Sequence, residues 1–121
     1  PIASNIMLGP DGQVMLVDWD QAANADPCWD LGILLAEGVP FDRAARQILS
    51  EGVQAPEREA ILARCRLYGI ADDILWGLRG LLLSATTRRV DVEFFKYAQW
   101  RLLRARLALR DPRFEERLRS L

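Results

Sequence analysis

Hydrophobic residues form two short runs at the start of the chain and recur at helical spacing over the rest. The two runs, at positions 5–8 and 14–17, flank a segment that begins Gly-Pro-Asp-Gly. Apolar runs of this length on either side of turn residues predict a β-hairpin. We therefore expect one hairpin at the start of the chain and no other strand.

Beyond position 20, apolar residues recur every three to four positions, which is typical of helices that bury one face. Proline, aspartate and glycine residues divide this region at positions that suit helix starts and ends. These divisions predict helices over 28–37, 41–50, 56–69, 72–86 and 92–110, with Asp26 capping the first, and a short last helix after the Asp-Pro pair at 111–112. The predicted fold is mainly α with one short β-hairpin, followed by about six helices.

Length and composition fit a single domain. Half of the 121 residues are hydrophobic, so the chain can form a core. The 16 basic residues nearly balance the 17 acidic ones, so the chain has no large net charge that would attract a charged partner. The near-zero net charge argues against a nucleic-acid partner, and no apolar run is long enough to span a membrane. We expect one domain over 1–121, with the hairpin in 1–20 and a helical subdomain in 21–121.

The chain has no histidine, which excludes zinc–histidine sites and Ser–His triads within it. Its two cysteines, Cys28 and Cys65, lie in apolar surroundings. Isolated cysteines of this kind predict packed thiols in a reducing compartment. We accordingly expect a cytoplasmic protein.

The hairpin carries the clearest chemistry. Asn5 begins its first apolar run, and the second run ends at Asp18 in the segment Val-Asp-Trp-Asp at 17–20. A hairpin would bring these two side chains together at one edge. An amide and a carboxylate oxygen suit Mg²⁺, and protein kinases hold Mg²⁺ on ATP with the same residue types. The alternative is that Asp18 only caps a turn.

Two further features lie on the predicted helices. Asp30 is in the first turn of an otherwise apolar helix, where an acid interacts favourably with the helix N-terminus; we interpret it as an organiser of the neighbouring loop. Trp76, Tyr97 and Trp100 are either core residues or a wall that holds a cation against its ring faces.

Together these segments resemble the aminoglycoside phosphotransferase and choline kinase superfamily. The resemblance rests on Asn5, on Val-Asp-Trp-Asp at 17–20 and on Asp-Pro-Cys-Trp-Asp-Leu at 26–31. The segments Leu-Trp-Gly-Leu at 75–78 and Phe-Lys-Tyr-Ala-Gln-Trp-Arg at 95–101 resemble helices of the choline/ethanolamine kinase branch. The resemblance implies the C-terminal lobe of a protein-kinase-like fold, with the catalytic Asp immediately before Pro1 and a missing N-terminal lobe.

The resemblance also implies a function: an ATP- and Mg²⁺-dependent kinase that phosphorylates a small-molecule alcohol. Asn5, Asp18 and Asp20 would serve the metal, and Trp76 and Tyr97 would line a choline- or ethanolamine-like acceptor pocket. Arg79 stands where that branch has a second Trp, and its guanidinium would repel a quaternary ammonium.

The alternatives are an aminoglycoside or other sugar or alcohol acceptor, and a non-catalytic helical interaction module. Because the catalytic Asp would precede Pro1, we expect no catalytic residue in this chain and no activity from residues 1–121 alone.

Overall fold

The computed structural model describes residues 2–89 and 91–121. A 3₁₀ turn at Ala3–Asn5 precedes two antiparallel strands, and five α-helices follow. The elements are β1 (Ile6–Leu8), β2 (Val14–Leu16), α1 (Pro27–Gly38), α2 (Asp42–Ser50), α3 (Arg58–Thr86), α4 (Phe94–Leu109) and α5 (Phe114–Arg119). The predicted class, mainly α with one hairpin, is confirmed. Among these described elements, no helix is both long enough and apolar enough to cross a membrane.

The hairpin is held by its turn. Gly12 has a φ of 79°, which glycine adopts without steric cost. Its N–H donates to the Gly9 carbonyl at 3.0 Å, and the Gln13 N–H donates to Oδ1 of Asp11 at 3.2 Å. These local bonds set a register in which Ile6 faces Leu16.

Helix α1 begins as predicted. Oδ1 of Asp26 accepts the Cys28 N–H at 2.9 Å, and Pro27 occupies the first turn. This bond to the Cys28 N–H is the main reason why the pKa of Asp26 is lowered. The Tyr68 hydroxyl donates to the other Asp26 oxygen at 3.0 Å, so the start of α1 is tied to α3.

The predicted break between the third and fourth helices is wrong, because α3 runs without interruption from Arg58 to Thr86. Gly69 was expected to end a helix. It instead allows α1 and α3 to approach closely, since a Cβ there would lie 3.0 Å from both the Gly32 carbonyl oxygen and the Ala36 Cβ. The glycine is therefore explained by packing between helices rather than by helix termination.

Helices α3 and α4 form an antiparallel pair. Asp73, at the middle of α3, bonds to Arg104 in the second half of α4. Gly80, further along α3, lies against Ala98 near the start of α4. The opposite order of these contacts, and the short connection over 87–93, show that the two helices run antiparallel.

The core lies where α1, α2 and α3 meet. Its buried residues come from all three helices, and Leu35 and Cys65 are completely buried. The members of this cluster are Cys28, Leu35, Ala45, Leu49, Leu62 and Cys65. Both cysteines are free thiols, and burial raises the pKa of Cys65 to about 12, so the prediction of packed thiols is confirmed.

We expect Gly32→Ala to destabilise the chain by about 1–3 kcal/mol. A Cβ at this position would lie 2.4 Å from the Cys65 carbonyl oxygen, which belongs to the backbone of α3 and cannot move without shifting the helix. Gly38→Ala is the matched control, because its Cβ would meet nothing within 4 Å. Urea unfolding of both variants checks the prediction, and equal stabilities would contradict it.

Candidate functional site

One pocket of about 630 Å³ lies between the hairpin with its following loop, the start of α1, and the α3–α4 pair. It brings together all the candidate residues that the sequence singled out for the metal, the loop and the acceptor. Those residues are Asn5, Asp18, Asp20, Asp30, Trp76, Arg79 and Tyr97. They are far apart in sequence, so the fold gathers them at one place.

Asn5 and Asp18 are in direct contact. The Val17 N–H donates to the Asn5 carbonyl at 3.0 Å, which extends the hairpin pairing by one residue on each strand. Beyond that bond, Nδ2 of Asn5 donates to Oδ2 of Asp18 at 3.1 Å. The expectation that the hairpin holds these two side chains near each other is confirmed.

Asp18 has an unusual backbone conformation. Its φ of 67° is positive, and it is the one non-glycine residue within 2–89 and 91–121 for which this holds. Asp tolerates this conformation better than most residues, but it still stores strain of about 1–3 kcal/mol. Strain of this kind is concentrated at functional sites, where the surrounding structure holds a side chain in place.

Asp20 follows on an exposed turn. The Trp19 indole N–H donates to the Leu16 carbonyl at 3.0 Å, and the Ala22 N–H donates to the Trp19 carbonyl at 3.0 Å. These two bonds shape the segment that carries Asp20 along the pocket wall.

The donor set at the hairpin fits Mg²⁺ in one particular way. Among the described residues, no group of three carboxylate, thiol or imidazole side chains could enclose a metal ion. Mg²⁺ in phosphate-transferring sites is bound by one or two carboxylates together with substrate phosphates and water rather than by a protein cage. Asn5 and Asp18 provide such a partial set.

At the other side of the pocket, both aromatic residues carry a guanidinium on a ring face. The Arg79 carbon Cζ lies 4.7 Å from the centroid of the Trp76 ring, and the Arg101 Cζ lies 5.3 Å from that of Tyr97. Trp100 differs from these two: it is 59% exposed and does not line the pocket. The core interpretation of Trp100 is therefore wrong, and the pocket wall does not include it.

Two charged residues that line the pocket were not identified from the sequence as site residues: Asp72 and Arg101. Arg101 is only 5% exposed, and its Nη1 donates to Asp72 at 3.1 Å and to Asp73 at 2.9 Å. Its Nη2 donates to Glu37 at 2.9 Å, and its Nε donates to the Tyr97 hydroxyl at 3.0 Å. We call these five residues the Arg101 network.

The Arg101 network connects α1, α3 and α4 at the pocket floor. Burial raises the pKa of Asp72, and the neighbouring Arg101 opposes that rise. The sequence signal that could have revealed the Arg101 network is the pair of adjacent aspartates within an apolar helix, since buried carboxylates require a partner.

A comparison with protein families identifies the class of the chain. The model of a phosphotransferase enzyme family matches residues 2–68, more than half of the chain. The chain belongs to this family. The general part of the sequence prediction, a phosphotransferase of the aminoglycoside phosphotransferase-like superfamily, is thereby confirmed.

The matched range contains the hairpin, α1, α2 and the first turns of α3, and it ends before Trp76. It thus includes the proposed metal residues and not the aromatic wall. Comparisons with curated proteins and with solved structures give no match.

Proposed function

We propose that this chain is the metal- and acceptor-binding lobe of an ATP- and Mg²⁺-dependent enzyme that phosphorylates the hydroxyl of a small molecule. One observation carries the proposal: a single pocket is lined both by Asn5 and Asp18, at the hairpin, and by Trp76, Arg79 and Tyr97 on α3 and α4. A phosphoryl donor at the first group would face an acceptor at the second.

In this proposal the residues act by positioning and charge compensation. Asn5 and Asp18 would hold Mg²⁺, and Asp20 would hold a second metal ion or a water molecule. Bound Mg²⁺ supplies neutralisation of the phosphate charge. The resemblance implies that an aspartate orients and deprotonates the acceptor hydroxyl.

Two observations bear on the identity of the acceptor, and they favour different ligands. The motifs at 75–78 and 95–101 favour a choline- or ethanolamine-like acceptor by resemblance, and such a ligand needs an open aromatic face. Here Arg79 and Arg101 lie over Trp76 and Tyr97. This observation favours the second candidate, an acceptor with less positive charge, such as a sugar or another alcohol.

The experiment uses a longer protein that contains the proposed nucleotide-binding lobe followed by this chain. We call it the two-lobe protein. Formation of ADP is measured with Mg²⁺, ATP and a panel of small alcohols, and the phosphorylated product is identified by mass. We expect transfer by the two-lobe protein and none by residues 1–121. Turnover by the shorter chain would refute the position assigned to the catalytic Asp. Failure with every alcohol would favour a non-catalytic interaction module.

We expect Asp30→Ala to lower both the melting temperature and the turnover of the two-lobe protein. Asp30 lies in the first turn of α1 and lines the pocket, and it has an interaction partner in the structure. Its loss removes a charge that interacts favourably with the helix N-terminus and that we propose organises the catalytic loop. Glu115→Ala, at an exposed position on α5, is the control. An unchanged melting temperature and turnover for Asp30→Ala would contradict the organising role proposed for Asp30.

A further inference from the structure

Arg79 is a charged group on the pocket wall to which the proposed chemistry gives no task. It lies on α3, one helical turn after Trp76, and its side chain is exposed to the pocket. Its guanidinium lies over the Trp76 ring at 4.7 Å from the ring centroid. Stacking on an indole face restricts a side chain that would otherwise be mobile.

The charge of Arg79 is not compensated by the protein. Within the part of the chain that the structure describes, no carboxylate pairs with it, and its contact is with the Trp76 ring. The other arginine of the pocket, Arg101, is neutralised by Asp72, Asp73 and Glu37. The acceptor side of the pocket therefore presents one available positive charge.

The acidic residues of the pocket have other partners or come from other elements. Asp18 bonds to Asn5 at the hairpin, and Asp72 is paired with Arg101. Asp20 is on the loop that follows the hairpin, and Asp30, in the first turn of α1, has an interaction of its own. Within the described residues, none of these carboxylates forms an ion pair with Arg79.

A guanidinium that lies over a ring face still has N–H groups around the edge of its own plane that can donate to a ligand. These donors form a fork that matches the two oxygens of a carboxylate or phosphate. We propose that Arg79, held on Trp76, recognises an oxyanion on the acceptor, so that the substrate is an alcohol bearing a carboxylate or a phosphate. This inference rests on the proposed function for the position of the reacting hydroxyl, near Asp18.

The competing explanation is that Arg79 only covers Trp76 with its side chain, as long cationic residues often do at a surface. The two explanations differ in one respect. A covering residue can be replaced by an uncharged one of similar size without changing the charge preference of the pocket, whereas a recognition residue cannot.

The first test is binding, measured by calorimetry on the two-lobe protein without nucleotide. The probes are glycerate, glycerol 3-phosphate, glycerol and choline, four small alcohols that differ in charge. We expect at least one anionic probe to bind about tenfold or more tightly than glycerol, because charge-assisted hydrogen bonds are strong. The tighter of the two anionic probes identifies the oxyanion as a carboxylate or a phosphate.

The variants then assign the preference to Arg79. Arg79→Gln should remove the advantage of the anionic probe over glycerol. Arg43→Gln removes an equal charge from an exposed site on α2 outside the pocket, and it should retain the preference. The proposal is overturned if neither anionic probe binds more tightly than glycerol, if Arg79→Gln keeps the preference, or if choline binds most tightly to the unaltered protein.

The second test is transfer from ATP to the same four probes. The ratio of kcat/KM for the anionic probe to that for glycerol should fall by about tenfold in Arg79→Gln. Arg79→Trp should lose the anionic probe and gain choline, since it removes the repelling charge and adds a ring. Anion-selective binding without any transfer would sustain the recognition site and refute the proposed function, so the two failures are distinguishable.

Discussion

Replacing Arg101 with methionine should destabilise the protein by about 3–5 kcal/mol, because it leaves the buried Asp72 carboxylate without its cationic partner and leaves Asp73 with Arg104 alone. Asp72 is 2% exposed and Asp73 4%, and Arg101 donates to both. Methionine fills a similar volume but offers no hydrogen bond. The free energy of unfolding, measured in urea at neutral pH, checks the prediction.

The same variant should depend on pH in a recognisable way. Without Arg101, the pKa of Asp72 in the folded chain rises further above its value in the unfolded chain, since burial is no longer opposed by a positive charge. A carboxyl whose folded pKa is raised makes the protein less stable as pH increases through that pKa. The stability lost in Arg101→Met should therefore be partly recovered when the pH is lowered.

Two comparisons isolate the cause. Arg106→Met changes an exposed arginine on the same helix, and it should change stability by no more than about 0.5 kcal/mol. Arg101→Lys keeps the positive charge but lacks the fork of N–H donors, so its stability should lie between those of Arg101→Met and Arg106→Met. If Arg101→Met were as stable as Arg106→Met, the Arg101 network would not be holding the helices together.

The hairpin end of the site could be predicted from the sequence because it is local. The turn residues at 9–12 determine the register, and the register determines that Asn5 meets the residue after Val17. The left-handed backbone of Asp18 could not be predicted, since it arises from how the loop leaves the strand. The stacking of Arg79 on Trp76 was accessible as well, because residues one turn apart share a helix face.

The pocket floor could not be predicted, because its contacts are distant in sequence. Arg101 bonds to Glu37 and Asp72, on two other helices, and no local pattern encodes either pairing. The continuous α3 was missed for a related reason. Glycine is common at helix ends, but the contact of Gly69 with Gly32 on α1 decides its role here, because tertiary packing overrides helix propensity.

Replacing Asp18 should have the largest effect on activity. In the two-lobe protein, we expect Asp18→Ala to lower kcat by about 10³-fold or more, because metal-based charge stabilisation is worth several kcal/mol. Asp18 is exposed on the pocket wall, so its removal leaves no cavity in the core. Turnover at increasing Mg²⁺ concentrations measures the effect, and near-normal turnover would contradict the metal assignment.

Asp18→Asn separates charge from backbone conformation. Asparagine tolerates the positive φ of 67° at this position, so the variant should melt at the temperature of the unaltered protein and still lose transfer. Asp11→Asn, in the hairpin turn, is the matched control and should keep full activity. Asn5→Ala should cost less than Asp18→Ala, because a neutral amide holds a dication more weakly than a carboxylate does. Partial recovery of Asn5→Ala at high Mg²⁺, without recovery of Asp18→Ala, is the pattern that two unequal ligands of one metal ion would give.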